Sequence, residues 1–344
     1  MTMSTISPTA GRLRAYLRFI VAVLWFFMAR GLAHRLAMEE ATEPFVPLVE
    51  QALLAFLLLV GYAGMGFWLD REAHPVSAQG LPWRAGGLGE AWMGLAVGWA
   101  LAVACVLPMV VGGGIAIVLV LGHSAWGWLV ADAAFFALAA LAEEIAFRGY
   151  GFQRFERAVG PLGAALGFAA FYAIVQALLP GSNHASIAVS VMLSLVLSTA
   201  YLRSRALWLS WGINFGWKAS RALVFGLAIS GVSNHSPVVQ GNPMGSFWLT
   251  GGGFGLDGSW VAFVALLIAL PVVYRLTREL DYRYNAQVIV AGGIPVDMDV
   301  VGRRQHEAAM GPAAPAAPSL VQILPVATPP PPKQPSADRP PASS

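Results

Sequence analysis

The stretch Leu141–Gln153, LAEEIAFRGYGFQ, places Glu143, Glu144 and Arg148 within six residues at the end of a long apolar run. Charge inside a bilayer is expensive, so ionisable residues there are paired or functional. The chain around this stretch uses charge sparingly. Of its 344 residues 57% are hydrophobic and 11% charged, and the mean hydropathy is +0.64. Soluble domains carry about 25% charged residues, so the chain reads as a polytopic membrane protein. A net charge of +3 is too small to indicate a nucleic-acid partner; the first partner is the lipid bilayer. The single cysteine, Cys105, excludes an intrachain disulfide or a thiolate metal cluster.

A spanning helix needs about 20 apolar residues. Eight candidate spans lie near 17–33, 46–69, 90–111, 125–147, 162–179, 185–202, 206–228 and 259–276. The first, FIVAVLWFFMA, follows Arg12, Arg14 and Arg18 and has the length of a signal-peptide core; its bulky Trp25, Phe26 and Phe27 favour a retained anchor. The stretch 91–121 exceeds one span, so GGGIAIVLVLG is expected to be a re-entrant or interfacial piece. Arginines gather after spans four, six and eight, at 154–157, 203–205 and 275–283. Loops 180–184 and 229–258 contain neither Lys nor Arg. The positive-inside rule then puts both termini in the cytoplasm of a multi-pass cell-membrane protein. The expected fold class is therefore all-α, with three segments. These are N-terminal transmembrane helices over 1–124, a membrane core over 125–276 and a cytoplasmic tail over 277–344. The tail is rich in Pro and Ala and is expected to be largely disordered, with a small hairpin at VIVAGGIPVDMDVV before it.

Adjacent helical residues point about 100° apart, so Glu143 and Glu144 are not expected to share a partner. Glu144 and Arg148, four apart, lie on one face. That leaves Glu143 for a cavity, as an acid or base, or all three as an ion-paired helix end. Among other polar residues, Asp132 either extends a polar track or caps the start of its span. Glu50 is read as interfacial, and Arg221 as snorkelling to the outer face. Trp208, Trp211 and Trp217 are read as packing residues.

The surrounding pattern, ALAEEIAFRGYGFQRF, resembles the EExxxRxxxF motif of the CAAX prenyl protease and bacteriocin-processing (CPBP) intramembrane endopeptidases. Glu143, Glu144, Arg148 and Phe152 fall in register. GFAAFYAIVQALLPGSN is similar to the family's FxxxH helix, TAYLRSRALWLSWGINFGWK to its HxxxN segment, and LTGGGFGLDGSWVAFVALLIALPVVY to its last loop and span. The likeness covers roughly 125–276. It implies a membrane-embedded hydrolase in which the first glutamate and a histidine activate water, while a later histidine and asparagine stabilise the oxyanion. It also implies substrates that are prenylated CAAX proteins or peptides of bacteriocin processing and self-immunity.

Position by position, the family's FxxxH phenylalanine falls on Phe171 and its histidine on Val175, with Gln176 beside it. The HxxxN pair falls on Asn214 and Lys218. Both histidines are replaced. At about 1.5 Å per residue, Glu143, Val175 and Lys218 sit at one depth, some 18–21 Å from their cytoplasmic turns. The six histidines, His34, His74, His123, His184, His235 and His306, all lie outside the spans; His184 is the nearest substitute. Zinc draws three or four ligands, so no metal and no cofactor is expected. Lys218 in mid-span needs a counter-charge, and a Lys218–Glu143 or Lys218–Glu144 pair is the leading expectation. Three functions follow. One is a catalytically degenerate family member that binds a membrane-associated peptide, lipid or protein partner. Another is a Glu-dependent peptidase. The last is a small transporter component with a proton-binding acid pair.

Overall fold

In a computed structural model, the described residues are 8–120, 122–231, 236 and 238–285. The first of two units ends at Asn285. The expected disordered tail and hairpin therefore fall largely outside the described residues. His235 and His306 do too, as does the His123 side chain.

Most of the first unit is helical. The long elements are α1 Pro8–Glu40, α2 Val46–Asp70, α3 Gly87–Val111, α4 His123–Arg148, α5 Tyr150–Val159, α6 Pro161–Ala177, α7 His184–Ser204, α8 Leu207–Ala219, α9 Trp260–Leu276 and α10 Arg278–Tyr284. A helix lies at each of the eight expected segments. Among the described residues five helices are long and apolar enough to cross a bilayer, and six if α9 and α10, bent by 51°, count as one span. Helix α6, with 17 residues, is a shorter apolar helix, and α8 has 13 residues before a π-helical turn at Ser220–Val224.

Local chemistry explains the boundaries. Gly160 adopts φ 85° and Pro161 opens α6 at its first turn, where a missing N–H costs nothing. Asn183 caps α7 by a reciprocal pair of bonds with Ser186, at 2.9 Å each. Arg205, with φ 51°, turns the chain between α7 and α8. Its guanidinium holds Glu156 at 2.8 Å.

The all-α expectation needs one correction. GGGIAIVLVLG carries a strand, β1 Ile115–Leu119, paired antiparallel with β2 Val239–Pro243 in the register Ile115↔Pro243 to Leu119↔Val239. The β-branched run after the Gly113 turn suits a strand. Its partner lies over a hundred residues away and has no strand-like composition, so no local pattern announces the pairing. Residues 278–284 are helical, and Arg203 holds Asp281 at 3.1 Å, while Asn285 Nδ2 donates to Leu202 O at 3.1 Å.

Helix α1 presents Ala15, Ala22, Ala29, Ala33 and Ala37 inward, all buried. This small-residue seam lets it lie close to its neighbours, principally α5 and α2. The most extensive helix contact is α3 on α8. Two small-xxx-small pairs create it, Gly94 with Gly98 and Gly212 with Gly216. A Cβ on any of the four would strike the facing backbone: Leu209 O, Ile213 O, Ala91 O and Leu95 O respectively. Backbone thus meets backbone, and α8 is pressed into the protein interior with Asn214 and Trp217 fully buried.

Gly216→Leu should overpack this contact at a cost of about 1–3 kcal/mol or more. A lowered thermal midpoint in detergent, or loss of monodisperse protein, is the expected result. Gly64→Leu, at a glycine with open space around it, should leave the midpoint unchanged. Equal behaviour of the two variants would show that the close approach is unimportant.

Candidate functional site

Helix α4 ends at Gly149, where ψ of −140° breaks the helix one residue after Arg148. This ends the helix with its charges inside the protein. Glu144 and Arg148 are both fully buried and pair along one face, with Arg148 Nη1 donating to Glu144 Oε1 at 3.2 Å. The other arm of the guanidinium donates to Ser194 O at 3.3 Å and meets Ser194 Oγ at 3.4 Å. The arginine therefore braces α4 against α7.

Lys218 Nζ donates to Glu143 Oε1, and the two form an ion pair. The Glu143 side chain is 28% accessible and that of Lys218 11%, so the pair is partly open while Glu144 is sealed. Asn214, one turn before Lys218 on α8, is fully buried. Its Nδ2 donates to Glu143 Oε2 at 3.0 Å and to Glu144 Oε1 at 3.1 Å. The two acids do share a partner after all. An amide nitrogen carries two hydrogens, and one placed between adjacent helical side chains can reach both.

From α6 the hydroxyl of Tyr172 lies 3.5 Å from Glu143 Oε2. The structure brings together Glu143, Glu144, Arg148, Asn214, Lys218 and Tyr172. Val175 is not among them: it is 39% exposed on the outer side of α6, whereas Gln176 is buried with Nε2 lacking a hydrogen-bond partner. The inward face of α6 is thus the Tyr172–Gln176 face, one residue out of register with Phe171–Val175. The signal for Tyr172 was present in the sequence, since a hydroxyl and an amide four residues apart share a face.

His184 heads α7 and is exposed. The hydrogen-bond partners of the acid pair are Lys218, Asn214, Tyr172 and Arg148, not His184. His34 pairs with Glu50 at 2.9 Å, and His74 is exposed. Among the described residues, no group of three or more His, Cys, Asp and Glu converges as a metal site.

A second ion pair sits one turn beyond Lys218. Arg221 does not snorkel outward. It is buried, with Nη1 2.5 Å from Asp257 Oδ1, Nε donating to Trp217 O at 2.9 Å and the guanidinium over the Trp217 ring at 4.2 Å. Asp257 also accepts from Ser230 N at 3.2 Å and Ser230 Oγ at 3.0 Å. The counter-charge arrives on the glycine-rich loop before α9. No pattern near Arg221 predicts it, so snorkelling looked the cheaper solution. Asp132, also buried, accepts from Ser236 N at 2.7 Å. Trp208 Nε1 and Trp211 Nε1 each donate to a backbone carbonyl, Pro82 O and Ala137 O, at 3.0 Å.

The cluster balances two carboxylates against two cations. Both Glu143 oxygens already have partners. Breaking a buried pair by removing one member costs about 3–5 kcal/mol, while replacing both is far better tolerated. Lys218→Met should therefore lower the unfolding midpoint in detergent, and Lys218→Met with Glu143→Gln should recover most of the loss. An unchanged midpoint in the single variant would show that the pair contributes nothing.

A family model for type II CAAX prenyl endopeptidase, Rce1-like, matches residues 9–220. The match takes in α1 through α8, including the acidic pair and the Asn214–Lys218 turn. No curated protein matches the chain, and no solved structure does.

Proposed function

The chain belongs to the Rce1-like family of type II CAAX prenyl endopeptidases, and from that premise we propose that it keeps the family's membrane fold while its catalytic site has become a binding site. The observation that carries this reading is the Lys218–Glu143 ion pair. A carboxylate whose charge is neutralised by an ammonium has less drive to take a proton from water than a free one. Here Lys218 holds one oxygen and Asn214 the other. Val175 and Asn214 stand at the positions of the family's two histidines. Asparagine and glutamine can stabilise an oxyanion, but neither takes up a proton at neutral pH. The site is charge-balanced without a metal or cofactor, and two neighbouring acids fall short of the three or four ligands that zinc draws.

In this reading the accessible side of Glu143 meets a membrane-associated peptide, a lipid or a partner protein. Gln176 Nε2, buried and unpartnered, supplies a donor to an occupant. The chain crosses the cell membrane eight times, with α6, α8 with its π-helical turn, and α9 as short crossings at the lower end of the spanning range. The arginine-rich ends of α4, α7 and α9 face the cytoplasm.

A second reading, a Glu143-dependent peptidase of protein processing or self-immunity, draws support from the accessibility of Glu143 and from the Tyr172 hydroxyl beside it. The two readings separate in one experiment. The purified protein is incubated with prenylated CAAX peptides and with signal-type peptides beside a Glu143→Ala control. The expected outcome is no Glu143-dependent cleavage. Turnover that disappears in Glu143→Ala would overturn the binding reading.

A further inference from the structure

A cavity of about 210 Å³ lies between α1, α2, α4, α5 and α6, lined by Phe19, Phe26, Tyr62, Phe147, Phe155 and Phe168. Its walls are apolar, aromatic rings with small residues such as Ala146 between them. It sits behind the acidic cluster: Phe147 packs on Tyr172 with ring centroids 5.0 Å apart, and the two rings separate the cavity from Glu143.

An arginine cluster lies beside one end of this cavity, behind its lining residue Tyr62. Phe19 follows Arg18, and Phe155 follows Arg154. Arg18 pairs with Asp70, and Arg154 Nη1 lies 3.4 Å from the same carboxylate oxygen. Tyr150, whose ring is 5.9 Å from that of the cavity residue Tyr62, donates its hydroxyl to the other Asp70 oxygen at 2.7 Å. Two arginines on one carboxylate leave an excess positive charge. Arg157, exposed and three residues after Arg154, lies on the same face of α5. Arg14, four residues before Arg18, extends the same face of α1. Arg154 is 2% exposed; its Nη1 faces Asp70 at ion-pair distance, and its Nε has no hydrogen-bond partner. A buried guanidinium with an unused donor and excess positive charge around it is a receptor for an anion.

We propose that this is a site for an anionic phospholipid, with one acyl chain in the aromatic cavity and the phosphate at the arginine collar. Charge complementarity selects the occupant. A zwitterionic lipid would leave the collar's excess uncancelled, and a free phosphate would leave the aromatic cavity empty. The site stands whether or not the Glu143 cluster hydrolyses peptides, because it lies on the other side of the Phe147–Tyr172 wall.

The test uses the full chain, reconstituted with equal parts phosphatidylglycerol and phosphatidylcholine, extracted gently and weighed by native mass spectrometry. Retention of phosphatidylglycerol over phosphatidylcholine is expected. Removing exposed collar charges with Arg14→Gln and Arg157→Gln should cut that preference about fivefold for each arginine. Ala146→Phe, which fills the cavity, should abolish retention of either lipid. Should that variant fail to fold, the arginine pair decides, since both side chains are exposed. Glu143→Ala should retain the lipid, which separates this site from the acidic one. Equal retention of the two lipids, or a preference unchanged by the arginine substitutions, would overturn the proposal. Displacement of the lipid by inorganic phosphate alone would do the same, by removing the acyl chain from the interaction.

Discussion

The interior of this protein is organised by the need to neutralise charge where water is scarce. Glu143 and Glu144 sit next to one another near the end of an apolar helix, and each must find a cation within a few ångströms. Arg148, one turn along the same helix, serves Glu144. Lys218, from α8, serves Glu143. Asn214 ties the two pairs into one network. Such a network is demanding: removing one member strands its partner's charge, whereas hydrophobic replacement of whole pairs is often tolerated. Its retention therefore points to a use for the polarity, in specifying the fold or in holding an occupant.

Helix–helix distance makes the network possible. A lysine reaches an acid on another helix only if the two backbones are held at the right separation. The paired glycines of α3 and α8 set that separation on one side by removing every side-chain atom from the contact. On the other side, Arg148 and Ser194 lock α4 to α7. Beyond Lys218, the π-helical turn and the Arg221–Asp257 pair hold the end of α8. Small residues thus set the geometry, and ion pairs fill it.

This arrangement separates family from activity. The EExxxRxxxF motif has a structural duty here: Glu144 and Arg148 brace two helices whatever happens at Glu143. A motif that survives for structural reasons identifies the fold well, and by itself says little about turnover.

Much of the membrane character was legible in the chain. Hydropathy located all the long helices, because apolar length is a local property. The Glu144–Arg148 pair was legible too, because a spacing of four on a helix places side chains together. Lys218 was recognisable as needing a counter-charge, since a mid-span lysine rarely stands alone. Other features depended on distant partners. The sheet joining β1 to β2 and the capture of Arg221 by Asp257 link segments that share no local pattern. The inward face of α6 turned on one residue of helical phase, which separates Tyr172 and Gln176 from Phe171 and Val175. By itself, then, the sequence determined a helical membrane protein of the CAAX-protease kind with one braced acidic pair, because periodicity and hydropathy are carried by neighbours. Tertiary structure alone decided which oxygen each cation holds and which face of α6 meets the site, because those depend on how backbones approach across segments far apart in the chain.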